Sequence, residues 1–325
     1  MNAFKIAQPT NIKQLSPLLA QAGEDVYLMA GGTDLLDEIK QELIRPDTVV
    51  DIGGIQGLAG LREEAEGYFI GALTTVSELA EFQAVRKNYP GLRQAALSLA
   101  SPQLRHLGTV GGNLCQRPRC WYYRDGSVHC RKKGGSRCFA FTGRSKYHAI
   151  LGGSGCFIVH PSDLAPMLIA LGASVQIQGP KNEKRIPLED FFQPPGADVR
   201  KENILDKDQF VSGVLLPKAQ AFTHSCYVKY RERGAWDFAL VSAAAVGQKN
   251  GDYYRNLRLV LGGVAPVPWR LKEAERMLDG RPLTEESIGK AAAEELKKAR
   301  VLKDNAYKLD LIPQVIKDSL HGMAG

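Results

Sequence analysis

At 325 residues, with 44% apolar and 24% charged residues, the chain has an ordinary globular composition and room for two domains. No apolar run approaches a membrane span, and the net charge of +7 is spread among acids, as in "GLREEAEGYF", which argues against a nucleic-acid surface. The amino-terminal "MNAFKIAQPTNIKQ" has neither the basic nor the apolar region of a secretory signal. A cytoplasmic location is therefore expected, or a periplasmic one if a partner subunit carries the export signal.

The first elements alternate. "FKIAQ" predicts a short strand, and "NIKQLSPLLAQAG" a helix capped by Asn11 and stopped by Gly23. "VYLMAGG" predicts a buried strand ending in glycines, "DLLDEIKQEL" a helix, and "DTVVDI" another strand. "LREEAEGYFIGA" has the pattern of a hairpin, while "VSELAEFQAVRKN" and "GLRQAALSLA" read as helices. A Gly-, Arg- and Lys-rich stretch with five of the six cysteines then interrupts the pattern as an inserted loop. "CFIVHPSDLAPMLIALGASVQIQG" restores strand, turn, helix and strand. The segment from Pro180 to Asn203 is charged and Pro-rich and predicts a surface excursion. "DQFVSGVLLP", "CYVKYRER", "FALVSAAAVGQ" and "LRLVLGGV" follow as strands, and three helices close the chain. The coarse expectation is an α/β region of about 200 residues followed by an α+β domain of about 100.

Two glycine turns carry candidate chemistry. In "LMAGGTDLL", Gly31 and Gly32 stand between a strand and a helix, where backbone N–H groups and the helix dipole favour an anion. Thr33 offers a hydroxyl donor there, and Asp34 is placed to cap the helix. "HLGTVGGNL" repeats the arrangement with Gly108, Thr109, Gly111, Gly112 and Asn113, so the two turns together suit the two phosphates of a pyrophosphate. Taken alone, each reads first as a plain tight turn, and neither matches G-x-G-x-x-G or the Walker A pattern. No acid–base or nucleophile constellation stands out: Ser154 in "GGSGCF" does not satisfy G-x-S-x-G, and no catalytic residue is expected.

Five cysteines, at 115, 120, 130, 138 and 156, fall in the inserted stretch, the last four spaced C-x9-C-x7-C-x17-C. Disulfides, a Cys₄ zinc ion, unpaired thiols and an iron–sulfur cluster are all compatible with that count. The compact ferredoxin run and the zinc knuckle are both absent. Gly134, Gly135 and Ser136 let the loop wrap, and the surrounding Arg and Lys favour thiolates. Cys115 makes the number odd and reads as packing. His129, His148 and His160 read as hydrogen-bonding residues, and Trp121, Tyr122 and Tyr123 as a shield or an anchor for the insertion.

"AGGTDLL", "FIGALTTVSEL", "GTVGGNL" and "HPSDLAPML", in this order, closely resemble the FAD-binding medium subunit of the molybdenum hydroxylases, the xanthine dehydrogenase and carbon monoxide dehydrogenase family. The resemblance implies a two-subdomain FAD-binding fold of the vanillyl-alcohol-oxidase-like, PCMH type over residues 1–217. An α+β domain over 218–325 would follow, like that of carbon monoxide dehydrogenase flavoproteins. It implies a first pyrophosphate loop of Ala30, Gly31, Gly32, Thr33, Asp34 and Leu35, and a second of Thr109, Gly111, Gly112 and Asn113. Gly71, Ala72 and Thr75 would lie along the cofactor, Asp163 and Leu164 near its adenosine or flavin end, with Lys229 and Asp237 as further candidates. Some relatives carry serine where this chain has Asp34.

The insertion at about 115–156 resembles that of a subset, the β subunit of 4-hydroxybenzoyl-CoA reductase and the flavin subunit of periplasmic aldehyde oxidoreductase. There the loop carries a [4Fe–4S] cluster, which implies Cys120, Cys130, Cys138 and Cys156 as ligands. The implied function is electron transfer in a complex with a molybdenum-cofactor large subunit and a [2Fe–2S] small subunit, and onward to a carrier such as ferredoxin. A self-contained flavin oxidoreductase and a zinc-binding non-enzymatic protein are the alternatives.

Overall fold

The computed structural model describes residues 2–20, 25–220 and 223–323, so the expected stop at Gly23 lies outside the described residues. The chain opens with β1 (Lys5–Ala7), α1 (Ile12–Ala20), β2 (Val26–Met29), α2 (Leu35–Lys40) and β3 (Thr48–Asp51). Asn11 does begin α1, its side-chain oxygen accepting from the Gln14 amide at 3.0 Å. The three strands form a parallel sheet in the order β1-β3-β2. Parallel strands need helical crossovers that cover the sheet, and Leu15 and Leu19 of α1 accordingly pack on Val50 and Ile52.

Next come β4 (Leu61–Glu64) and β5 (Gly67–Gly71), paired as the expected hairpin. A helical tract follows: α3 (Val76–Glu81), α4 (Gln83–Asn88), α5 (Pro90–Ser98), α6 (Pro102–Leu107), α7 (Val110–Cys115) and the single turn α8 (Trp121–Arg124). The expected single helix over "VSELAEFQAVRKN" is broken at Phe82, whose extended ψ of 129° turns that ring onto the core. Beyond the cysteine segment lie α9 (Leu164–Ala170), β6 (Ser174–Gln178), β7 (Glu183–Pro187) and β8 (Phe210–Pro217). These complete a five-stranded sheet in the order β4-β5-β8-β6-β7, antiparallel throughout. The fully buried α9 lies between it and the last domain, and Leu168, Val214 and Tyr227 belong to one continuous core.

Two expectations need correction. Residues 156–159 form no ladder, although the Ala149 amide donates to the Phe157 carbonyl at 2.9 Å. The segment from Pro180 to Asn203 is only partly a surface excursion. Along β7, at the edge of the sheet, exposure alternates, with Lys184 and Ile186 half-buried between exposed neighbours, and the following turn drives Leu188 and Phe191 into the core. A period-2 edge strand resembles a polar loop when only one face is buried.

The last region has β9 (Thr223–Tyr230), β10 (Val241–Asn250), β11 (Tyr253–Gly262) and β12 (Trp269–Arg270), then α10 (Lys272–Leu278), α11 (Glu285–Leu296) and α12 (Lys308–Gly322). Its antiparallel sheet is ordered β12-β11-β10-β9. One face packs on the three helices, through Leu259, Leu261, Ile288, Val315 and Ile316. The other face contributes Tyr227, Ala244 and Val260 to the shared core. This mixed α/β architecture, with a four-stranded carboxy-terminal unit docked on the rest, agrees with the expected fold class.

The cysteine segment is more than a surface loop. Tyr123, Cys130, Lys132, Ala140, His148, Ile150 and Leu151 are all buried. Among the described residues no helix is long and apolar enough to cross a membrane.

Candidate functional site

A cavity of about 790 Å³ opens between the carboxyl end of the parallel sheet, α7 and the loop before β10. That is the size of a cofactor site. Of the residues singled out from sequence, Ala30, Gly31, Gly32, Thr33, Asp34, Leu35, Ala72, Thr109, Gly111, Gly112, Asn113, Asp163 and Asp237 line it. Gly71, Thr75, Leu164 and Lys229 do not. Gly71 ends β5, with its amide on the Gly60 carbonyl at 2.9 Å. Thr75 caps α3 in a reciprocal capping box with Glu78 and bridges to Thr109, so it positions the second turn. Leu164 is a fully buried core residue at the start of α9. Lys229 stands behind Asp163, 2.7 Å from its carboxylate, while the Tyr227 hydroxyl donates to the same carboxylate at 2.8 Å.

The two glycine turns differ in what they can offer. In the first, the amides of Gly31, Gly32, Thr33, Asp34 and Leu35 have no acceptor within the protein among the described residues. Consecutive free amides form an anion-binding concavity. α2 has only six residues, so these open N–H groups rather than a long helix dipole supply the attraction. Gly32 adopts φ 69°, which a side chain resists, and a Cβ on Gly31 would stand 1.8 Å from the Leu107 carbonyl oxygen. The first turn thus lies directly against the chain that enters the second.

The second turn is mostly satisfied from within, contrary to the expectation of two equal amide cradles. The Val110 amide donates to Thr74, Gly111 to Ala72 and Asn113 to Thr109, all through carbonyls at 2.8–2.9 Å. The Gly112 amide goes to the Thr109 hydroxyl at 3.1 Å, which caps α7. What remains toward the cavity is the Thr109 amide and the Asn113 side-chain nitrogen. The Asn113 oxygen is taken by the Ser162 hydroxyl at 2.5 Å.

Asp34 also departs from its expected role. Its carboxylate makes no cap on α2. One oxygen receives Arg124 at 2.7 Å and Arg119 at 2.9 Å, and the other the Arg117 amide at 2.7 Å. The cavity wall is therefore tied to the start of the cysteine segment. Behind it, buried Glu38 accepts from the Tyr123 hydroxyl at 2.7 Å, and burial lifts its carboxyl above the usual range.

Sequence reasoning missed Arg117, Arg119, Trp236 and Phe238 and read Tyr123 only as a shield or an anchor; all five line the cavity. The arginines were visible as part of the basic excess around the cysteines, but nothing in their spacing pointed to Asp34. Trp236, 67% exposed with φ 56°, stands at the mouth, where a non-glycine residue in that conformation marks a functional or strained turn.

The four spaced thiols come near one another. Cys138 and Cys156 are hydrogen-bonded to each other, which pulls Cys138 down to about 6 and pushes Cys156 up. Cys120 feels both Cys138 and Cys130, and burial raises it to about 11. Its sulfur lies 3.2 Å from His148 Nε2, and burial holds His148 neutral, near 4. No disulfide joins them; Cys226 is buried elsewhere and Cys115 lines the cavity. Among the described residues, no three His, Cys, Asp or Glu side chains converge as a single metal ion requires.

Comparison with known proteins gives this geometry its context. Residues 2–219 match the family described as the FAD-binding domain in molybdopterin dehydrogenase, and residues 226–321 the carbon monoxide dehydrogenase flavoprotein carboxy-terminal domain. The chain is 39% identical over 282 residues to the aldehyde oxidoreductase FAD-binding subunit PaoB of Escherichia coli strain K12, covering 86% of each chain. It is 27% identical to the carbon monoxide dehydrogenase medium chain of Hydrogenophaga pseudoflava, over 98% of this chain and 96% of that one. A solved carbon monoxide dehydrogenase structure from that organism superposes with a TM-score of 0.79 at 25% identity, covering 99% of this chain and 98% of the other. The chain belongs to the FAD-binding medium subunits of the molybdenum hydroxylase family.

Proposed function

We propose that the chain is the electron-transfer subunit of a molybdenum hydroxylase-type complex, with FAD in the cavity and a [4Fe–4S] cluster on Cys120, Cys130, Cys138 and Cys156. In this reading residues 1–217 form the flavin-binding domain, with the cluster insertion at about 115–156, and residues 218–325 the carboxy-terminal domain. Substrate is transformed on a molybdenum-cofactor large subunit, a [2Fe–2S] small subunit relays electrons, and an external carrier such as ferredoxin exchanges them. FAD supplies the exchange between two-electron and one-electron traffic, and the protein supplies position and potential.

The observation that carries the flavin assignment is the row of open amides from Gly31 to Leu35 on the wall of a cofactor-sized cavity. These residues would hold the pyrophosphate, helped by the Thr109 amide and the Asn113 side chain. Ala72 and Asp163 lie farther along the same cavity. Asp163 is held in place by Lys229 and Tyr227, and Asp237, held by Arg233 at 2.6 Å, lies near the mouth.

The cysteines fit a cluster better than a lone ion. A four-iron cluster takes one thiolate per iron, so its sulfurs stand apart, whereas zinc draws four to one point. Buried Lys132 lies close enough to Cys156 to stabilise its thiolate, and Arg131 packs against Gly155 beside it. Both cations oppose the negative charge of such a group. The PaoB relative is named as the FAD-binding subunit of an aldehyde oxidoreductase, which supports the flavin assignment here.

The test is anaerobic isolation from the native host with partner subunits identified and FAD, iron, sulfide and molybdenum counted. One FAD and four irons with four sulfides on this chain are expected. A colourless zinc protein, or turnover of a small reductant by the chain alone, would overturn the reading.

A further inference from the structure

We infer that loading of the cysteine insertion and retention of the flavin are energetically coupled, with Arg124 as the positioning residue that transmits the coupling. The inference rests on the cluster reading above and adds a dependence between its two sites.

Cys120 lies between the two arginines that hold Asp34. Its carbonyl accepts from the Arg124 amide at 2.9 Å, closing α8, so Arg119, Cys120 and Arg124 occupy one turn. Arg124 then spends its guanidinium on four groups. It reaches Asp34 at 2.7 Å, Asp37 at 3.2 Å, the Pro118 carbonyl at 2.8 Å and the Arg117 carbonyl at 3.2 Å. Arg119 and the Arg117 amide complete the shell of Asp34. Asp34 belongs to the run of open amides, so its carboxylate anchors the anion-binding turn to the backbone that carries the first cysteine. Arg124 itself does not line the cavity, and its side chain is only 10% exposed. Charge-assisted bonds that are shielded from water hold geometry firmly.

The insertion also grips the opposite wall. The Tyr147 hydroxyl donates to Glu232 at 2.7 Å, Lys146 pairs with the same carboxylate, and the Arg119 guanidinium lies 5.1 Å from the centre of the Phe238 ring. Glu232 and Phe238 flank Trp236 at the cavity mouth. One segment therefore spans both sides of the cleft.

Apart from Ile150 and Leu151 near its end, which join the carboxy-terminal core, its own apolar packing is thin. The satellite core here is Ala140, Phe157 and Leu302, with Tyr122 and Cys138 against it. A stretch with so small an apolar cluster of its own takes much of its order from what its ligands hold, as metal binding and folding are linked in small metal domains. When the cysteines are empty, the start of the insertion loosens, Asp34 loses Arg119 and Arg124, and the open amides lose their fixed aim. By linkage, bound flavin strengthens the hold on iron by the same factor.

The test is a four-cornered cycle on the full chain. FAD is removed, then titrated back under anaerobic conditions and followed by quenching of flavin fluorescence. Iron-loaded and chelator-depleted protein are compared, as wild type and as Arg124→Gln. Iron removal is expected to weaken FAD binding in the wild type by at least about fivefold, the lower end of ordinary coupling. Arg124→Gln should lose a similar factor while iron-loaded, and less than about twofold more when depleted. Arg124→Lys, which restores one charged donor, should recover part of the loss. Hydrogen exchange of residues 30–38 in the wild type is read alongside, and protection should fall when iron is removed.

Unchanged FAD affinity and unchanged protection on iron removal would overturn the inference. So would a full iron effect persisting in Arg124→Gln. A chain that takes up no iron under any reconstitution brings down the cluster reading and this inference with it, whereas iron that binds without influence on FAD sinks only the coupling.

Discussion

Replacing Gly31 by alanine adds one methyl group where there is no room for it. The new carbon would lie 1.8 Å from the Leu107 carbonyl oxygen and 2.6 Å from its carbon. Carbon atoms in contact settle at about 3.5–4.0 Å, so the first turn must retreat from the second by roughly 1 Å or more. The obstacle is backbone, which cannot rotate aside. Overpacking costs about 1–3 kcal/mol, and an unyielding neighbour puts this site at the upper end, near ~3 kcal/mol. In a domain of this size each kcal/mol moves Tm by about 2–4 °C, so a fall of about 6–12 °C is expected.

The same ~3 kcal/mol, if the turn must return to its native position to hold the cofactor, weakens FAD by about two orders of magnitude. The assay pairs calorimetry with flavin fluorescence titration and the yellow flavin absorbance retained after gel filtration. Gly54→Ala is the control, because its methyl meets nothing within 4 Å. That change should stay within about 0.5 kcal/mol. Full flavin retention by Gly31→Ala, with Tm within about 2 °C of wild type, would refute the close packing of the two turns as a requirement for binding.

Three further outcomes are expected. Lys308 is fully buried with its ammonium on the Gly263 carbonyl at 2.5 Å, and burial lowers it from 10.5 to about 7. Between those values the unfolded chain holds a proton that the folded chain has released, so stability rises with pH, by up to about 1.4 kcal/mol per unit. Subtracting the urea-unfolding profile of Lys308→Met should isolate that slope, and a flat difference from pH 7 to 10 would contradict it. Lys229→Met leaves the Asp163 carboxylate buried with only Tyr227, and loss of one partner of a buried pair costs about 3–5 kcal/mol. Denaturant unfolding of the isolated chain measures it, and a cost below about 1 kcal/mol would show that water reaches Asp163 freely. In iron-free protein, Cys138 should react with iodoacetamide faster at pH 7 than Cys120, because the former lies at about 6 and the latter at about 11. Peptide mapping gives the order of labelling, and the reverse order would contradict the shared hydrogen bond with Cys156.

Local signals were enough to find most of the elements. Glycines after an apolar strand marked the turn at Gly31 and Gly32, Asn11 marked a helix start, and the alternation in "LREEAEGYFIGA" marked a hairpin. Each is decided by neighbours within a few positions, through backbone freedom, a capping oxygen or side-chain period. The same locality misread Phe82, where a distant core drew the ring inward and broke a helix, and the edge strand β7, whose three consecutive charged residues hid a face that is only half-buried.

The sequence by itself determined where the glycine turns, the cysteines and the cofactor family's motifs lie. Only the tertiary structure decided how each group is used. It left the amides of 31–35 open while consuming those of 110–113, turned Asp34 from a helix cap into the anchor of the cysteine segment, and put Lys229 behind Asp163. The physical reason is that a hydrogen bond or ion pair is settled by whichever partner arrives within about 3 Å. For Asp34 and Arg124, ninety residues apart, that is a property of the folded chain and not of any window of sequence.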